Sequence, residues 1–318
     1  MSPEEWVSVV GSEYLATFVR QGGAAVKFAA STTDAGRADL RQRLAAAAEA
    51  HGFQLAILDA TEVRLHLIDR LFHAVARQVD WDGLARAFLE RLLRARGLRL
   101  PPASESLSAL RLAELNAAPE VLLRTDLRRA LAHELFEDYA MTREFRLAMF
   151  SLCAAQLDPT DNPALEAAIK DWLRGELRLV SEVKRALIFQ KIARQNARHM
   201  LFSLAHWLTL TGKGGLLLVL DVARYAEAVR PAERGAGNYY TTSATIDLYE
   251  MLRQLIDATD EASACFVAVL VGPDFLQLQD DRRGIRSYQA LYFRIWDEVF
   301  DRNRENPFSS LVRIAGAA

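Results

Sequence analysis

Residues 26–44 read VKFAASTTDAGRADLRQRL, and this stretch decides the fold predicted for the 318-residue chain. It begins as a short apolar strand, continues through a turn of small residues and ends in an amphipathic helix. This is the frame of a phosphate-binding loop (P-loop), in which backbone N–H groups and a helix N-terminus surround phosphate. We therefore predict a nucleotide-binding α/β fold.

The side chains that give such a loop its chemistry are mostly missing. The P-loop pattern is G-x-x-x-x-G-K-[ST], and aligning its second glycine on Gly36 gives the candidate nucleotide-binding residues Ser31, Gly36, Arg37 and Ala38. Arg37 stands where a lysine reaches the outer phosphates, and Ala38 where a hydroxyl holds Mg²⁺. Asp34 adds a negative charge that opposes phosphate. ATP and Mg²⁺ binding is therefore expected to be weak or absent, and hydrolysis impaired.

A second motif lies at residues 214–224, GGLLLVLDVAR, where an apolar strand ends in Asp221. This is the form of a Walker B motif, whose aspartate helps to hold Mg²⁺ beside the phosphate loop. Asp221 is therefore the predicted metal-binding residue. AAA+ ATPases usually place a water-activating glutamate next, but here the next residue is Val222, so the base is missing too.

Three arginines after the last long apolar strand are candidates for an arginine finger: Arg282, Arg283 and Arg286. In ring-forming ATPases an arginine in this region reaches a neighbouring subunit's nucleotide and stabilises phosphate charge. An ion-paired turn beside Asp280 and Asp281 is the alternative interpretation of the same cluster.

The chain alternates strands and helices. Apolar, non-alternating strands are predicted at 26–30, 53–60, 215–222, 264–273 and 310–316. Helices are predicted from Gly36 to about His51, at 62–79, 81–96, 244–258 and 287–302, and an exposed loop at 229–243. Such alternation favours a parallel sheet with helices on both faces. The predicted fold class is α/β, a P-loop NTPase of the AAA+-like type.

A large helical insertion interrupts this core. Residues 98–106, LRLPPASES, form a linker, and from 107 to 212 apolar residues recur at helical spacing. The predicted domains are therefore 1–97 and 213–318, the two parts of the α/β core, and 98–212, the helical insertion.

Within the insertion, basic residues recur while acidic ones are sparse. They are Arg174, Arg178, Lys184, Arg185, Lys191, Arg194 and Arg198. On a helical face they would contact the phosphates of nucleic acid or an acidic partner; a solvated amphipathic face is the alternative. Trp172 and Trp207 are predicted to be core residues.

Bulk properties indicate a soluble protein. Hydrophobic residues make up 51% and charged residues 25%, and the net charge is −2. Neither a signal peptide nor a membrane-spanning run is found, so a cytoplasmic location without a membrane partner is expected. The two cysteines, Cys153 and Cys265, lie in apolar runs and are expected to be reduced core residues.

The chain resembles the AAA+-type ATP-binding proteins found with BREX and related bacteriophage-defence gene clusters. The resemblance is carried by residues 13–28, 64–89, 171–176, 194–208, 214–224 and 283–299. It implies a P-loop ATPase core with a helical insertion, acting as an oligomer with other subunits of a defence complex. Relatives with an intact loop would carry the full motif at the positions that Ser31, Gly36, Arg37 and Ala38 occupy in this chain. Their Walker B aspartate corresponds to Asp221.

These observations lead to three hypotheses. The first is a catalytically degenerate AAA+-like subunit that acts through oligomerisation and partner binding. The second is a divergent but active ATPase that remodels a DNA or protein substrate, with Arg37 and a neighbour's arginine replacing the lost groups. The third is a DNA-binding module that uses the basic residues at 174–198.

Overall fold

The computed structural model describes residues 1–227, 238–276, 282–296 and 305–315. Two compact units can be distinguished, Met1–Val75 with Lys213–Ala318, and Ala76–Gly212. The α-helices of the described residues are α1 (Pro3–Val9), α2 (Asp34–Ala50), α3 (Ile68–Ala76), α4 (Trp81–Ala95), α5 (Ala109–Asn116), α6 (Glu120–Phe136), α7 (Arg143–Leu157), α8 (Pro163–Arg174), α9 (Ala197–Leu210), α10 (Ala223–Ala226), α11 (Thr242–Asp257) and α12 (Gln289–Ile295).

A parallel sheet forms the centre of the first unit. Its strands are β1 (Ala24–Ser31), β2 (Gln54–Asp59), β3 (Leu216–Asp221), β4 (Cys265–Val271) and β5 (Leu311–Ile314). They are hydrogen-bonded in the order β2-β3-β4-β1-β5, and every pair is parallel. Strands β3 and β4 are buried along their whole length, which explains their continuous apolar sequences. The predicted α/β P-loop class is confirmed.

Apolar side chains cover both faces of this sheet. On one face, Trp6 of α1 and Leu40 of α2 belong to the same core cluster as Leu217 and Phe266 of the sheet. A π-helix, Val10–Phe18, adds Leu15 to that cluster. On the other face, Phe28 of β1 stacks on Phe275, which also contacts Tyr249 of α11.

One glycine is required where the sheet resumes after the insertion. Gly215 has φ +131°, and a Cβ at this position would lie 2.1 Å from the carbonyl oxygen of Ala264. Only glycine allows the two backbones to approach this closely at the start of β3 and β4.

The second unit extends from Ala76 to Gly212 and contains helices α4 to α9. It includes α4; the predicted domain boundaries at 97/98 and 212/213 stay predictions. Trp172 and Trp207 are buried in its core, and so is Cys153. Burial of Cys153 raises the pKa of its thiol, which favours the neutral form.

The prediction that the chain is helical from about 107 to 212 is wrong for residues 175–196. Helix α8 ends because Gly175 adopts a left-handed conformation with φ +75°. The segment that follows contains only a short 3₁₀-helix, Val180–Ala186, and Leu187 is again left-handed. The basic residues therefore do not share one helical face.

Two predicted elements fall partly outside the described residues. The loop at 229–243 is described only from residue 238, and the helix at 287–302 only to residue 296. Among the described residues, none of the helices is long and apolar enough to span a membrane.

Candidate functional site

The candidate site lies at the C-terminal ends of the parallel strands, where open α/β sheets bind ligands. Ser31 ends β1, and Asp59 and Asp221 end β2 and β3. These two aspartates are direct neighbours in the sheet register. Helix α2 begins at the same edge, so its first turn faces the strand ends.

The connection between β1 and α2 is shorter than predicted. Helix α2 begins at Asp34 instead of Gly36, so only Thr32 and Thr33 separate it from the strand. The physical reason is a helix cap: the Thr33 hydroxyl accepts a hydrogen bond from the Gly36 N–H at 3.0 Å. Asp34 therefore belongs to the first helical turn, and two residues replace the long glycine-rich loop of the P-loop pattern.

Gly36 and Ser31 pack closely at this turn. A Cβ on Gly36 would lie 2.3 Å from Ser31 Oγ, so the glycine leaves room for the serine side chain. Ser31 is buried, and its hydroxyl donates to the carbonyl oxygen of Thr33 at 3.2 Å. Both groups therefore interact within the turn itself.

The guanidinium of Arg37 is held between two carboxylates. Its Nε lies 3.3 Å from the Asp221 carboxylate oxygens, and its Nη2 donates to Asp34 Oδ1 at 2.6 Å. Arg37 is 8% exposed and Asp221 5%. Asp34, in contrast, has a side chain 96% exposed. The residue at the lysine position thus contacts the residue at the magnesium position.

A second arginine extends this arrangement. Arg41 Nη1 lies 2.7 Å from Asp59 Oδ2 and 3.3 Å from Asp221 Oδ2. Asp34, Arg37, Asp221, Arg41 and Asp59 therefore form one connected set of charges, which we call the loop ion-pair network. Three carboxylates and two guanidinium groups lie in it, so its formal charge is −1 when all are ionised.

The buried carboxylate of Asp221 and the half-buried carboxylate of Asp59 differ in pKa. Burial raises the pKa of Asp221 above its ordinary value, and Arg37 only partly opposes the shift. Burial also acts against the ionised form of Asp59, but hydrogen bonds from Thr61 and Arg41 outweigh it and lower the pKa. Thr61 contributes both its backbone N–H and its hydroxyl, each 2.8 Å from Asp59 Oδ1.

Sequence reasoning missed Arg41 and Asp59, although each carries a recognisable signal. Arg41 follows Arg37 by four residues, which places both on one face of a helix. Asp59 ends an apolar strand in the same way as Asp221. Ala38 is exposed on α2 and has a methyl group where Mg²⁺ requires an oxygen.

Metal binding at Asp221 stays a prediction. Within the described ranges, no group of three or more His, Cys, Asp or Glu side chains could hold a metal ion. The Asp221 carboxylate already accepts a hydrogen bond from the Ala223 N–H at 3.3 Å in addition to its two arginine contacts. An ion there would compete with these partners.

The three predicted finger arginines lie in different environments. Arg283 is buried, and its Nη1 donates to the carbonyl oxygens of Glu227 and Tyr240, both at 2.8 Å. Arg282 and Arg286 are exposed. Asp280 and Asp281, the alternative ion-pair partners, lie outside the described residues. The arginine-finger role stays a prediction for all three.

Comparison with known proteins identifies the family. A family model described as BREX system ATP-binding protein BrxC/D matches residues 13–316, which include Arg37 and Asp221. No curated protein and no solved structure matches the chain. The match confirms the resemblance found in the sequence and supports a role in phage defence alongside other subunits of that system. The chain belongs to the BREX system ATP-binding protein BrxC/D family.

Proposed function

We propose that this chain is a catalytically degenerate AAA+-like subunit of a bacterial anti-phage complex. It acts in the cytoplasm through oligomerisation and partner binding, and it does not turn over ATP. The observation that carries the proposal is the contact of Arg37 with Asp221 and Asp34. The side chains that should hold phosphate and Mg²⁺ hold each other.

The length of the β1–α2 connection is the first argument. A P-loop binds phosphate because several successive backbone N–H groups point into a concave loop. Here the connection has only Thr32 and Thr33, and the Gly36 N–H is used by the Thr33 cap. The two-residue connection therefore lacks the length of such a concave loop, and the Gly36 N–H is not free for phosphate.

The energy of the ion pairs is the second argument. To contact ATP, Arg37 would have to leave Asp221, which would then keep Arg41 as its one cationic neighbour among the described residues. Removing one partner of a buried pair costs about 3–5 kcal/mol. Binding with a Kd of about 1 mM provides about 4 kcal/mol in total. The rearrangement alone therefore offsets weak nucleotide binding.

The divergent ATPase is a second candidate, and two observations favour it. Arg37 keeps a positive charge at the lysine position, and Asp59 supplies a second carboxylate beside Asp221. Arg37 presents a planar fork instead of a compact ammonium, so it does not simply replace lysine. This candidate requires Arg37→Ala to lower the turnover rate.

The first experiment measures nucleotide binding and hydrolysis. Purified protein is extracted for bound ATP or ADP and titrated with ATP and Mg²⁺ by calorimetry. ATP hydrolysis is followed with and without DNA and with the other subunits of the system. We expect no retained nucleotide, no binding up to millimolar ATP, and equal background rates for wild type and Asp221→Ala. A rate that Asp221→Ala abolishes would disprove the degenerate assignment.

Oligomerisation needs its own measurement. Analytical ultracentrifugation over a concentration series, with and without ATP, tests whether assembly depends on nucleotide. We expect an oligomer whose size is the same in both conditions. A monomer at all concentrations, alone and with the other subunits, would contradict this part of the proposal.

A further inference from the structure

The helical unit carries a compact surface loop at residues 178–191. Its two ends meet, because Lys191 Nζ donates to the carbonyl oxygen of Arg178 at 3.3 Å. Trp172 Nε1 fixes the loop to α8 by donating to the carbonyl oxygen of Gln190 at 2.9 Å. Closed surface loops of this size are frequently functional. We call residues 178–191 the basic loop.

The basic loop exposes large apolar side chains. Leu179 is 64% exposed, Leu187 52% and Phe189 59%. The loop is nevertheless packed against the rest of the unit, because Val183 and Ile188 are fully buried. The loop therefore holds one set of apolar side chains against the helices and presents another set to solvent.

Leu187 has an unfavourable backbone conformation. Its φ is +59°, in the left-handed region, which is uncommon for a residue other than glycine or asparagine. Strained residues of this kind cluster at functional sites, where surrounding contacts hold them in place. Here the conformation places exposed Leu187 directly before buried Ile188.

Positive charge surrounds these apolar groups. The basic residues of the loop and its flanks are Arg174, Arg178, Lys184, Arg185, Lys191, Arg194 and Arg198. In the part of the chain that the structure describes, none has a carboxylate oxygen within 4.0 Å. Two acidic residues close to the loop in sequence are engaged: Glu176 pairs with Arg77, and Glu182 accepts from the Leu179 N–H. Arg185 also lines a surface pocket with Asp158, Asp161 and Glu166, which pair with Arg124, Arg128 and Lys170. The surface therefore has cations available for an anionic partner.

We propose that the basic loop is a docking surface for an acidic segment of a partner protein, in which apolar side chains lie between carboxylates. Arginine and exposed aromatic side chains such as Phe189 are typical of the centre of a protein interface. Phosphate contacts with DNA use cations and polar groups, so two exposed leucines contribute nothing to them. The proposal does not depend on whether the site in the other unit binds nucleotide.

The test uses the full chain and three labelled probes, followed by fluorescence anisotropy. The probes are an acidic peptide with leucines at helical spacing, the same peptide with serines in place of leucines, and a short DNA duplex. One variant, Leu187→Asn with Phe189→Ser, removes two of the three exposed apolar groups and keeps the charges; asparagine tolerates a positive φ. A second variant, Lys184→Glu with Arg185→Glu, reverses charge and leaves the apolar groups.

Matched control variants alter exposed residues elsewhere in the same unit. Leu110→Ser removes an apolar side chain that is 55% exposed. Arg129→Glu with Arg143→Glu reverses two exposed charges. Circular dichroism melts for all variants establish that each one is folded before its affinity is compared.

We expect the leucine-containing peptide to bind more tightly than both other probes. Each basic-loop variant should lower the affinity for this peptide by about tenfold, which corresponds to about 1.4 kcal/mol. The control variants should leave the affinity unchanged. Failure of the acidic leucine peptide to bind at millimolar concentration would overturn the proposal. Tighter binding of the DNA duplex than of the peptide would also overturn it, if Lys184→Glu with Arg185→Glu abolishes that binding and Leu187→Asn with Phe189→Ser does not. That result would assign the loop to nucleic acid.

Discussion

The Arg37 guanidinium lies 3.3 Å from the Asp221 carboxylate, and both side chains are almost entirely buried. In the P-loop pattern these positions belong to the lysine that contacts phosphate and the aspartate that helps to hold Mg²⁺. In this chain the two positions neutralise each other directly. The pair therefore links the edge of the sheet to α2 and has a structural role whether or not nucleotide binds.

The first prediction concerns this structural role. Arg37→Ala should lower the free energy of unfolding by about 3 kcal/mol, because among the described residues it leaves buried Asp221 with Arg41 alone as a cationic partner. Asp221→Ala should destabilise the Arg37→Ala variant less than it destabilises wild type. The difference between these two changes in unfolding free energy, the coupling energy, should be about 1–3 kcal/mol. Urea denaturation of the four proteins in this double-mutant cycle gives both values.

Arg43→Ala is the matched control, since Arg43 forms an exposed pair with Asp39 on the same helix. It should change stability little. If Arg37→Ala proves no more harmful than Arg43→Ala, the buried pair does not stabilise the fold.

The second prediction concerns pH. The ordinary pKa of both Asp221 and Asp59 is 3.8, and folding raises the first and lowers the second. As pH rises from 3.8 through the raised pKa, Asp221 must ionise while buried, so wild type loses stability relative to Asp221→Asn. As pH falls from 3.8 through the lowered pKa, the stability contributed by ionised Asp59 is lost relative to Asp59→Asn.

Urea denaturation of wild type and the two asparagine variants across acidic pH measures these slopes. The difference in unfolding free energy between Asp221→Asn and wild type should change above pH 3.8. The corresponding difference for Asp59→Asn should change below pH 3.8. Identical pH profiles for the two variants would show that folding does not shift the pKa values of Asp221 and Asp59 in opposite directions.

The strands could be predicted from sequence because burial on both faces leaves a simple signal. Strands β3 and β4 are continuous apolar runs, and Gly215 marks the point where the chain re-enters the sheet. The start of α2 was harder to predict. Gly36 matches the P-loop pattern, but the Thr33 hydroxyl caps the helix earlier, and local capping determined the boundary.

The candidate site could be predicted only in part. Arg37 and Asp221 were identified by motif, whereas their contact depends on the sheet bringing together residues far apart in sequence. The burial of Arg283 gave no sequence signal, because it lies in a charged cluster that resembles a solvated turn. The irregular segment at 175–196 depends on left-handed Gly175 and Leu187, which periodicity does not detect.

The third prediction concerns repair of the motif. Arg37→Lys with Ala38→Thr restores the two missing P-loop side chains. We expect this variant still to bind ATP no more tightly than about 1 mM, because the connection at Thr32 and Thr33 stays too short to surround phosphate. Calorimetry with Mg²⁺ and ATP measures the affinity. Micromolar binding by this variant would show that the side chains, and not the length of the connection, limit nucleotide binding.

The fourth prediction separates the three candidate finger arginines. Arg283→Ala removes hydrogen bonds to the carbonyl oxygens of Glu227 and Tyr240. A hydrogen bond from a charged donor contributes about 1.5–3 kcal/mol, so the unfolding free energy should fall by about 2 kcal/mol or more. Arg282→Ala and Arg286→Ala, at exposed positions, should change it by less than about 0.5 kcal/mol.

Urea denaturation and analytical ultracentrifugation of the three variants distinguish a buried structural arginine from one that contacts a neighbouring subunit. Arg283→Ala should lower stability at every protein concentration, because its partners belong to its own chain. If Arg282 or Arg286 is the finger, its replacement by alanine should instead weaken assembly and leave the unfolding of the isolated subunit unchanged. A stable Arg283→Ala variant with impaired assembly would move the intersubunit role to Arg283 and contradict its assignment as a structural residue.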